Sequence, residues 1–211
     1  MTDLTTLDIV DPAHLALLRD RLAESAHATS DLDVRHRDVD SPFGPLLVAS
    51  TARGVARVAF AGEDHEAVLD SLAAALGPRV LQARSSLDDV ARELDEYFTG
   101  ARTSFTTPVD LVLAKGFRRE VLGHLREIPY GSTESYAVVA TASGSPRAVR
   151  AVGTACATNP VPLLVPCHRV VRSDGTPGAY RGGAEAKRWL LALEHAAGEQ
   201  RARHTAKGGS R

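Results

Sequence analysis

Cysteine is nearly missing from this sequence: among 211 residues only Cys156 and Cys167 carry a thiol. That is too few for a disulfide framework or a four-cysteine zinc site. Free thiols, as in an intracellular protein, are expected. Long apolar runs are lacking too. None approaches the ~20 residues that span a bilayer, so no membrane contact is expected. The first residues, Met1-Thr-Asp-Leu-Thr-Thr6, show no basic stretch followed by an apolar one. No secretory leader is therefore expected, and a cytoplasmic location is. Nor is either sign of charge in excess. A net charge of -1 gives no bulk attraction to nucleic acid, and any DNA contact must come from a local basic face. What remains is 44% hydrophobic and 24% charged, enough for a core in one large domain or two small ones.

Periodicity places the elements. Residues 11 to 26 read as a helix with Asp11 as N-cap, Pro12 at its first position, and Leu15, Leu18 and Leu22 on a face that either packs on the body or serves a partner, the first being the plainer reading. Residues 1 to 33 are an extension ending in a linker. Residues 46 to 51 and 54 to 60 read as two strands joined by a turn. Helices follow over residues 65 to 76, stopped by Gly77-Pro78, and 86 to 98, with Ser86 and Asp89 as a capping box and Gly100 closing it. This block, residues 34 to 106, holds no clustered chemistry; His36 and His65 stand singly. Thr106-Thr107-Pro108 marks a boundary with residues 107 to 198. There, residues 117 to 127 form a helix whose stripe is Phe117, Val121, Leu122 and Leu125. Helices over 136 to 142 and 146 to 158, broken at Gly144-Ser145-Pro146, make a helix-turn-helix pattern. The second is rich in small residues, which let another backbone or a nucleic-acid groove come close, and Arg147 and Arg150, on one side, could flank such an approach. A last helix, 185 to about 197, buries Trp189, Leu190 and Leu193. It carries Glu194 in its final turn, where the dipole disfavours a carboxylate without a partner. Residues 199 to 211 are polar, basic and expected to be disordered. The fold class is α/β: a small sheet-plus-helix N-terminal domain, then a mostly helical C-terminal domain.

The chemistry concentrates in Pro166-Cys167-His168-Arg169-Val170. Upstream, Pro160, Pro162 and Pro166 fix φ and keep the residues before them out of the helix. The Val and Leu residues between them read as a buried, extended strand. The thiol thus stands at the end of a rigid segment beside a base and a cation, neighbours that lower its pKa and make it nucleophilic. A buried cysteine is by itself more often a small core residue, and that is the reading for Cys156. Residues 172 to 183 form a glycine-rich loop holding Tyr180 and Arg181. It follows no strand with dinucleotide or P-loop spacing, which argues against a phosphate cradle.

Residues 117 to 194 resemble the catalytic domain of the O6-alkylguanine-DNA alkyltransferases, also called methylated-DNA–protein-cysteine methyltransferases. The matching residues are Ile128-Pro-Tyr-Gly-Ser-Thr-Glu-Ser-Tyr136, Arg150-Ala-Val-Gly153, Asn159-Pro160, Pro166 to Val170, Gly178-Ala-Tyr-Arg-Gly-Gly183, and Lys187 through Leu191 to Glu194, in that order. The earlier block resembles the family's smaller domain in layout only. The resemblance implies direct, single-turnover transfer of an alkyl group from O6-alkylguanine in DNA to Cys167. His168 would accept the thiol proton through a water, with Glu194 orienting it, the Cys-His-acid arrangement of an activated thiol. Asn159 would tie the turn before the active-site segment. Tyr136 would help protonate the leaving base. Arg150 would fill the space of the extruded nucleotide, since a lesion on the pairing edge is unreachable in a duplex. Ala137, Ser145, Arg147, Ala151, Gly153 and Ser173 would join Tyr136 and Arg150 on the DNA, and Pro166, Val170, Tyr180 and Arg181 would wall the pocket.

The implied partner is double-stranded DNA containing alkylated guanine, the implied state a monomer. No cofactor is expected. No metal is either, because residues 1 to 155 lack the cysteines of relatives that carry a structural zinc. The chain departs from the family at Phe117-Arg118 and Val121-Leu122, where Phe-Gln and Val-Trp are common, and at Arg181, where smaller residues are frequent. Two other readings compete: an alkyl-lesion sensor or helix-turn-helix regulator that binds without transfer, and a Cys-His hydrolase. The sensor lacks the acceptor cysteine, and the hydrolase does not explain the small-residue helix with its arginine.

Overall fold

In a computed structural model of the chain, residues 32–208 are described, with side chains through Ala196, together with Asp11, His14, Leu15, Leu17, Leu18 and Arg21. Strands β1 (Val34–Val39), β2 (Leu46–Thr51), β3 (Gly54–Ala59) and β4 (Val80–Gln82) form one sheet in the order β3-β2-β1-β4. Neighbours are antiparallel except β4, which runs parallel to β1. The β2–β3 hairpin is the one the apolar runs predict. β1 and β4 went unread for physical reasons. β1 is Val-Arg-His-Arg-Asp-Val, too polar for alternation to show. It is a strand because ladders hold it on both sides, and its buried Arg35 donates to Thr51 O at 2.9 Å. β4 has only three residues.

Helix α1 (His65–Leu76) starts on Asp64, whose carboxylate accepts the N–H groups of Glu66 and Ala67, a full N-cap. It covers one sheet face, where Val34, Ala49 and Leu72 form a small cluster. The other face sends Leu46, Val48, Val55 and Val58 into a larger cluster that does not end at the sheet. It takes in Leu94 and Tyr97 of α2 (Asp88–Phe98), Val121, Leu122 and Leu125 of α3 (Phe117–Leu125), and then Cys167, Val170 and Leu190. One continuous core therefore joins the sheet to the helices that follow, each fully buried Val or Leu contributing about 1.5–3 kcal/mol. Leu15 N–H does donate to Asp11 O at 3.0 Å, but Leu15 and Leu18 are exposed instead of packed on the body. Pro12 and Leu22 lie outside the described residues.

Other expectations shift in detail. α2 begins at Asp88 after a single 3-10 turn, and Ser86 Oγ donates back to Ala83 O at 3.0 Å, so no capping box forms. Residues 101 to 116 are sewn to the sheet edge: Val55 N–H donates to Pro108 O and Asp110 N–H to Val55 O, both at 2.8 Å. Beyond them come β5 (Glu134–Ser135), α4 (Tyr136–Ala142), α5 (Val149–Ala157), β6 (Val170–Val171) and α6 (Gly183–Gly208), with β5 and β6 paired in parallel. α5 starts at Val149 because Ala148 N–H closes a turn on Ser145 O, which leaves Arg147 in the turn.

α6 corrects two expectations. It runs on to Gly208 where a disordered tail was expected. Once its first turns are docked, the Ala, Glu, Gln, Arg and Lys residues that follow add to an existing helix at little cost. Glu194 is thus well inside the helix, not in its last turn. The buried face is also different: Ala186, Lys187, Leu190 and Glu194 are inside, Leu193 is half-buried and Trp189 is 36% exposed. Trp189 lies on the flank, edge-on to Phe43 with ring centroids 5.2 Å apart. Two charged side chains have the interior because they have partners there. Among the described residues no helix is long and apolar enough to cross a membrane.

Candidate active site

The segment before the cysteine is buried, as expected, but it is a turn and not an extended strand. Leu163 takes a φ of 76° and Pro162 bridges to Val165. The prolines have no N–H to offer a ladder, so the remaining buried polar groups need other partners. Asn159 supplies them. Its Oδ1 accepts Val161 N–H at 3.0 Å, and its Nδ2 donates to Val165 O at 2.9 Å. Pro160 O accepts Val58 N–H of β3 at 2.8 Å. The same Asn159 amide reaches Cys167 Sγ at 3.1 Å. Cys167–Arg169 is then one 3-10 turn, wholly buried, which brings the thiol, imidazole and guanidinium into the core on three successive residues.

Glu194 meets that turn from α6. Its Oε1 is 2.9 Å from His168 Nε2, and its carboxylate accepts Arg169 Nε and Nη2 (3.0 and 2.9 Å), the Tyr97 hydroxyl (2.6 Å) and Gly131 N–H (2.9 Å). Arg169 gives its remaining arm to Ile128 O at 2.6 Å. Burial pushes the Glu194 pKa up, but the bond and charge of His168 and those of Arg169 outweigh it and hold the carboxyl at about 2. The partner that a buried carboxylate requires is therefore present, although the ground on which the sequence suggested one, a place in the helix's last turn, does not hold. Burial lowers the pKa of His168, with Glu194 opposing, and the ring is neutral at pH 7. An ionised carboxylate only accepts hydrogen bonds, so the network assigns the ring proton to Nε2. Nδ1, buried and without a hydrogen-bond partner among the described residues, is left as the basic nitrogen.

The thiol departs from expectation. Burial pushes Cys167 up to about 11, while the Asn159 bond and the charges of Lys187 and Arg181 pull the other way. Desolvation outweighs the neighbouring cations, so the resting group is a neutral thiol that ionises only when its proton is taken. Cys156, pushed up to about 12 mainly by burial, is packed in the core.

The pocket residues gather around it. The Tyr136 hydroxyl lies against Gly178, where a Cβ would collide with it. Burial raises its pKa, and the nearby Cys156 and Cys167 add to the effect. Tyr180 is buried edge-on to His168 and to Phe60, centroids 6.2 and 5.6 Å away. Gly182 sits on the Phe60 ring, 2.7 Å from where a Cβ would be. Pro166 and Val170 are buried beside the thiol's turn. Arg181 is not loose at the pocket mouth: it pairs with Glu63 at 2.9 Å and donates to Asn159 O at 3.2 Å.

The other face of α4 and α5 carries the remaining candidates. Ala137, Arg147, Arg150 and Ala151 are exposed, as is Ser173 in the turn after β6, and Ser145 and Gly153 are half-buried. A Cβ on Gly153 would meet nothing within 4 Å, so internal packing does not require its small size. Val138 and Val149 are also exposed, 51% and 38%. Arg118 donates to Leu113 O and, at 3.5 Å, to Thr158 Oγ1 past the end of α5. Among the described residues no group of His, Cys, Asp or Glu is arranged to hold a metal.

Lys187 and Tyr97 had no role in the sequence reading, and Arg169 was read only as a cation beside the thiol, not as the partner of Glu194. Arg169 and Lys187 stand inside matched motifs, and Lys187, fully buried, donates to Val170 O at 2.6 Å. Tyr97 comes from the block that showed no chemistry. No local signal marks it, because its partner is far along the chain.

Comparison with known proteins agrees with this geometry. The family model described as "6-O-methylguanine DNA methyltransferase, ribonuclease-like domain" matches residues 34–111, and "6-O-methylguanine DNA methyltransferase, DNA binding domain" matches 116–196. The chain is 37% identical over 173 residues to the bifunctional transcriptional activator/DNA repair enzyme Ada of Escherichia coli, covering 80% of this chain and 47% of that one. It is 36% identical over 159 residues to the methylated-DNA–protein-cysteine methyltransferase of Methanosarcina barkeri, covering 74% of this chain and 94% of that one. The crystal structure of Mycobacterium tuberculosis OGT in complex with DNA superposes with a TM-score of 0.68 at 32% identity, covering 77% of this chain and 94% of that one. With both of its parts matched in order and its fold shared, the chain belongs to the 6-O-methylguanine DNA methyltransferase family.

Proposed function

We propose that this chain repairs DNA directly, by moving an alkyl group from O6 of guanine in a duplex to Cys167 Sγ, once per molecule and as a monomer. One observation carries the reading. A buried thiol sits in the same 3-10 turn as a neutral imidazole whose Nε2 is held by Glu194, which leaves Nδ1 as the base. His168 Nδ1 takes the thiol proton, directly or through one water. Sulfur then bonds to the alkyl carbon as the carbon–O6 bond breaks, and the bonding pair goes to the guanine. Tyr136 gives its hydroxyl proton to the leaving base and recovers one from the imidazolium through solvent. Overall, the thiol proton ends on an unmodified guanine. A thioether does not hydrolyse, so each molecule acts once.

The alkylated nucleotide reaches the thiol extruded from the duplex, read against Tyr180 and Val170, while Arg150 occupies its place in the stack. Ala151 and Gly153 keep α5 slim enough for a narrow groove, and Ala137, Ser145, Arg147 and Ser173 lie along the phosphates.

The test is intact mass after incubation with a short duplex carrying methylated guanine, followed by peptide mapping. A gain of one methyl on the Cys167 peptide, absent from Cys167→Ala, is the expected result. Tight lesion binding with no gain in mass would move the protein to the sensors. Turnover of an ester would make it a hydrolase.

A further inference from the structure

Tyr97 brings a hydroxyl from α2 into the middle of the buried relay. Its ring is fully buried among other rings: centroids lie 5.2 Å from Phe105, 5.8 Å from Phe98 and 6.0 Å from Tyr130. A phenylalanine would fill that space as well. A buried hydroxyl is costly unless bonded, and this one has two partners. It donates to Glu194 Oε1 at 2.6 Å and stands 3.3 Å from His168 Nε2. The donor count settles the orientation. Glu194 accepts only, so the phenol proton points at Oε1, and the phenol's lone pair faces the ring. A lone pair at that spot favours a proton on Nε2, not a bare nitrogen. The same hydroxyl also spreads the carboxylate's charge, which limits how strongly Glu194 can stabilise an imidazolium.

From this geometry we infer that Tyr97 is a positioning residue of the transfer reaction, fixing the His168 tautomer and setting its basicity through Glu194. The sheet-bearing half thereby completes the relay of the helical half. The inference rests on Cys167 being the alkyl acceptor and His168 its base.

The experiment is single-turnover methyl transfer, followed by mass across pH 5 to 9, for the full chain, for Tyr97→Phe, and for the chain with 3-fluorotyrosine at position 97. Tyr97→Phe keeps the ring contacts. Transfer to Cys167 at neutral pH is expected to slow roughly tenfold, the rate equivalent of one hydrogen bond to a charged group. Tyr97→Phe removes a long contact to Nε2 at 3.3 Å and a short, charge-assisted bond to Glu194 at 2.6 Å; the second is the stronger, so the freed carboxylate stabilises the imidazolium better and the acid limb of the profile moves to higher pH. Fluorotyrosine, a stronger donor of the same shape, moves it to lower pH. Those opposite shifts support the assignment. A profile unchanged in both proteins, with Cys167 still taking the methyl, overturns it. If Tyr97→Phe does not fold, the fluorotyrosine arm decides alone. No methyl on Cys167 in the unmodified chain would instead refute the reading on which the inference rests.

Discussion

At the scale of single residues the site depends on matched burial. Glu194 and Arg169 are held inside as a pair, with each carboxylate oxygen and guanidinium arm occupied. Removing one member of such a pair leaves the other uncompensated and costs about 3–5 kcal/mol. Glu194→Gln should therefore lower the urea midpoint sharply at pH 7. The pH dependence has a definite sign. The folded pKa of about 2 lies below the ordinary 4.5, so the stabilisation is complete above 4.5 and disappears as pH falls towards 2. His168 works in the same direction: below its ordinary 6.5 the unfolded chain binds a proton that the buried ring resists. Urea midpoints measured from pH 7 to 3 should fall more steeply for the natural chain than for Glu194→Gln, and parallel curves would show that Glu194 does not carry this dependence. The meeting of His168 and Glu194, 2.9 Å apart, was legible through the resemblance that the distinctive motif around Cys167 carries. Tyr97 was not, since nothing near it in the chain reports a partner across the fold.

At the scale of elements, α5 has a packing face and an exposed face of small residues, the one proposed to meet DNA. Val152, Ala155 and Cys156 face the core, whereas Arg150 and Ala151 are exposed and Gly153 borders open space. Gly153→Leu should unfold no earlier than the natural chain, because leucine favours helix over glycine by about 1 kcal/mol, yet bind a duplex at least ~10-fold more weakly if the helix enters a groove. Undiminished affinity would place the DNA elsewhere. Arg150→Ala should slow repair of a duplex more than reaction with free alkylated guanine, and equal losses would remove it from the flipping step. The helix-turn-helix was readable from its breaks. The turn of residues 159 to 166 was not, because three prolines and apolar neighbours allow a strand or a turn equally well. The Asn159 side chain, bonding Val161 and Val165, decided it.

At the scale of the whole molecule, the continuous core means that the sheet and the helices should unfold together. Trp189, the one tryptophan, sits on α6 against Phe43 and Phe98 of the sheet-bearing half. Its fluorescence therefore reports on contact between the halves. Thermal transitions followed by Trp189 emission and by far-UV circular dichroism should coincide, and a tryptophan transition clearly preceding the other would show separable halves. The connection is polar as well as apolar. Glu63 binds both Arg57 and Arg181, while Arg57 donates to Pro160 O and Arg181 to Asn159 O, so the sheet grips the turn that presents the thiol.

Residue type and spacing by themselves determined the family's motifs and most helices, because each depends on neighbours within a few turns of chain; the proposed acceptor, base and acid came from the resemblance those motifs carry. Tertiary structure alone decided the rest. It raised the pKa of the thiol, since burial is set by the whole core and not by the adjacent His and Arg. It chose the buried face of α6, where Lys187 and Glu194 displaced Trp189 because their partners lay inside. It also brought Tyr97 of α2 and Glu63 from the turn before α1, both in a block with no clustered chemistry of its own, against residues of the site, because buried polar and charged groups take whatever partners the fold brings within reach.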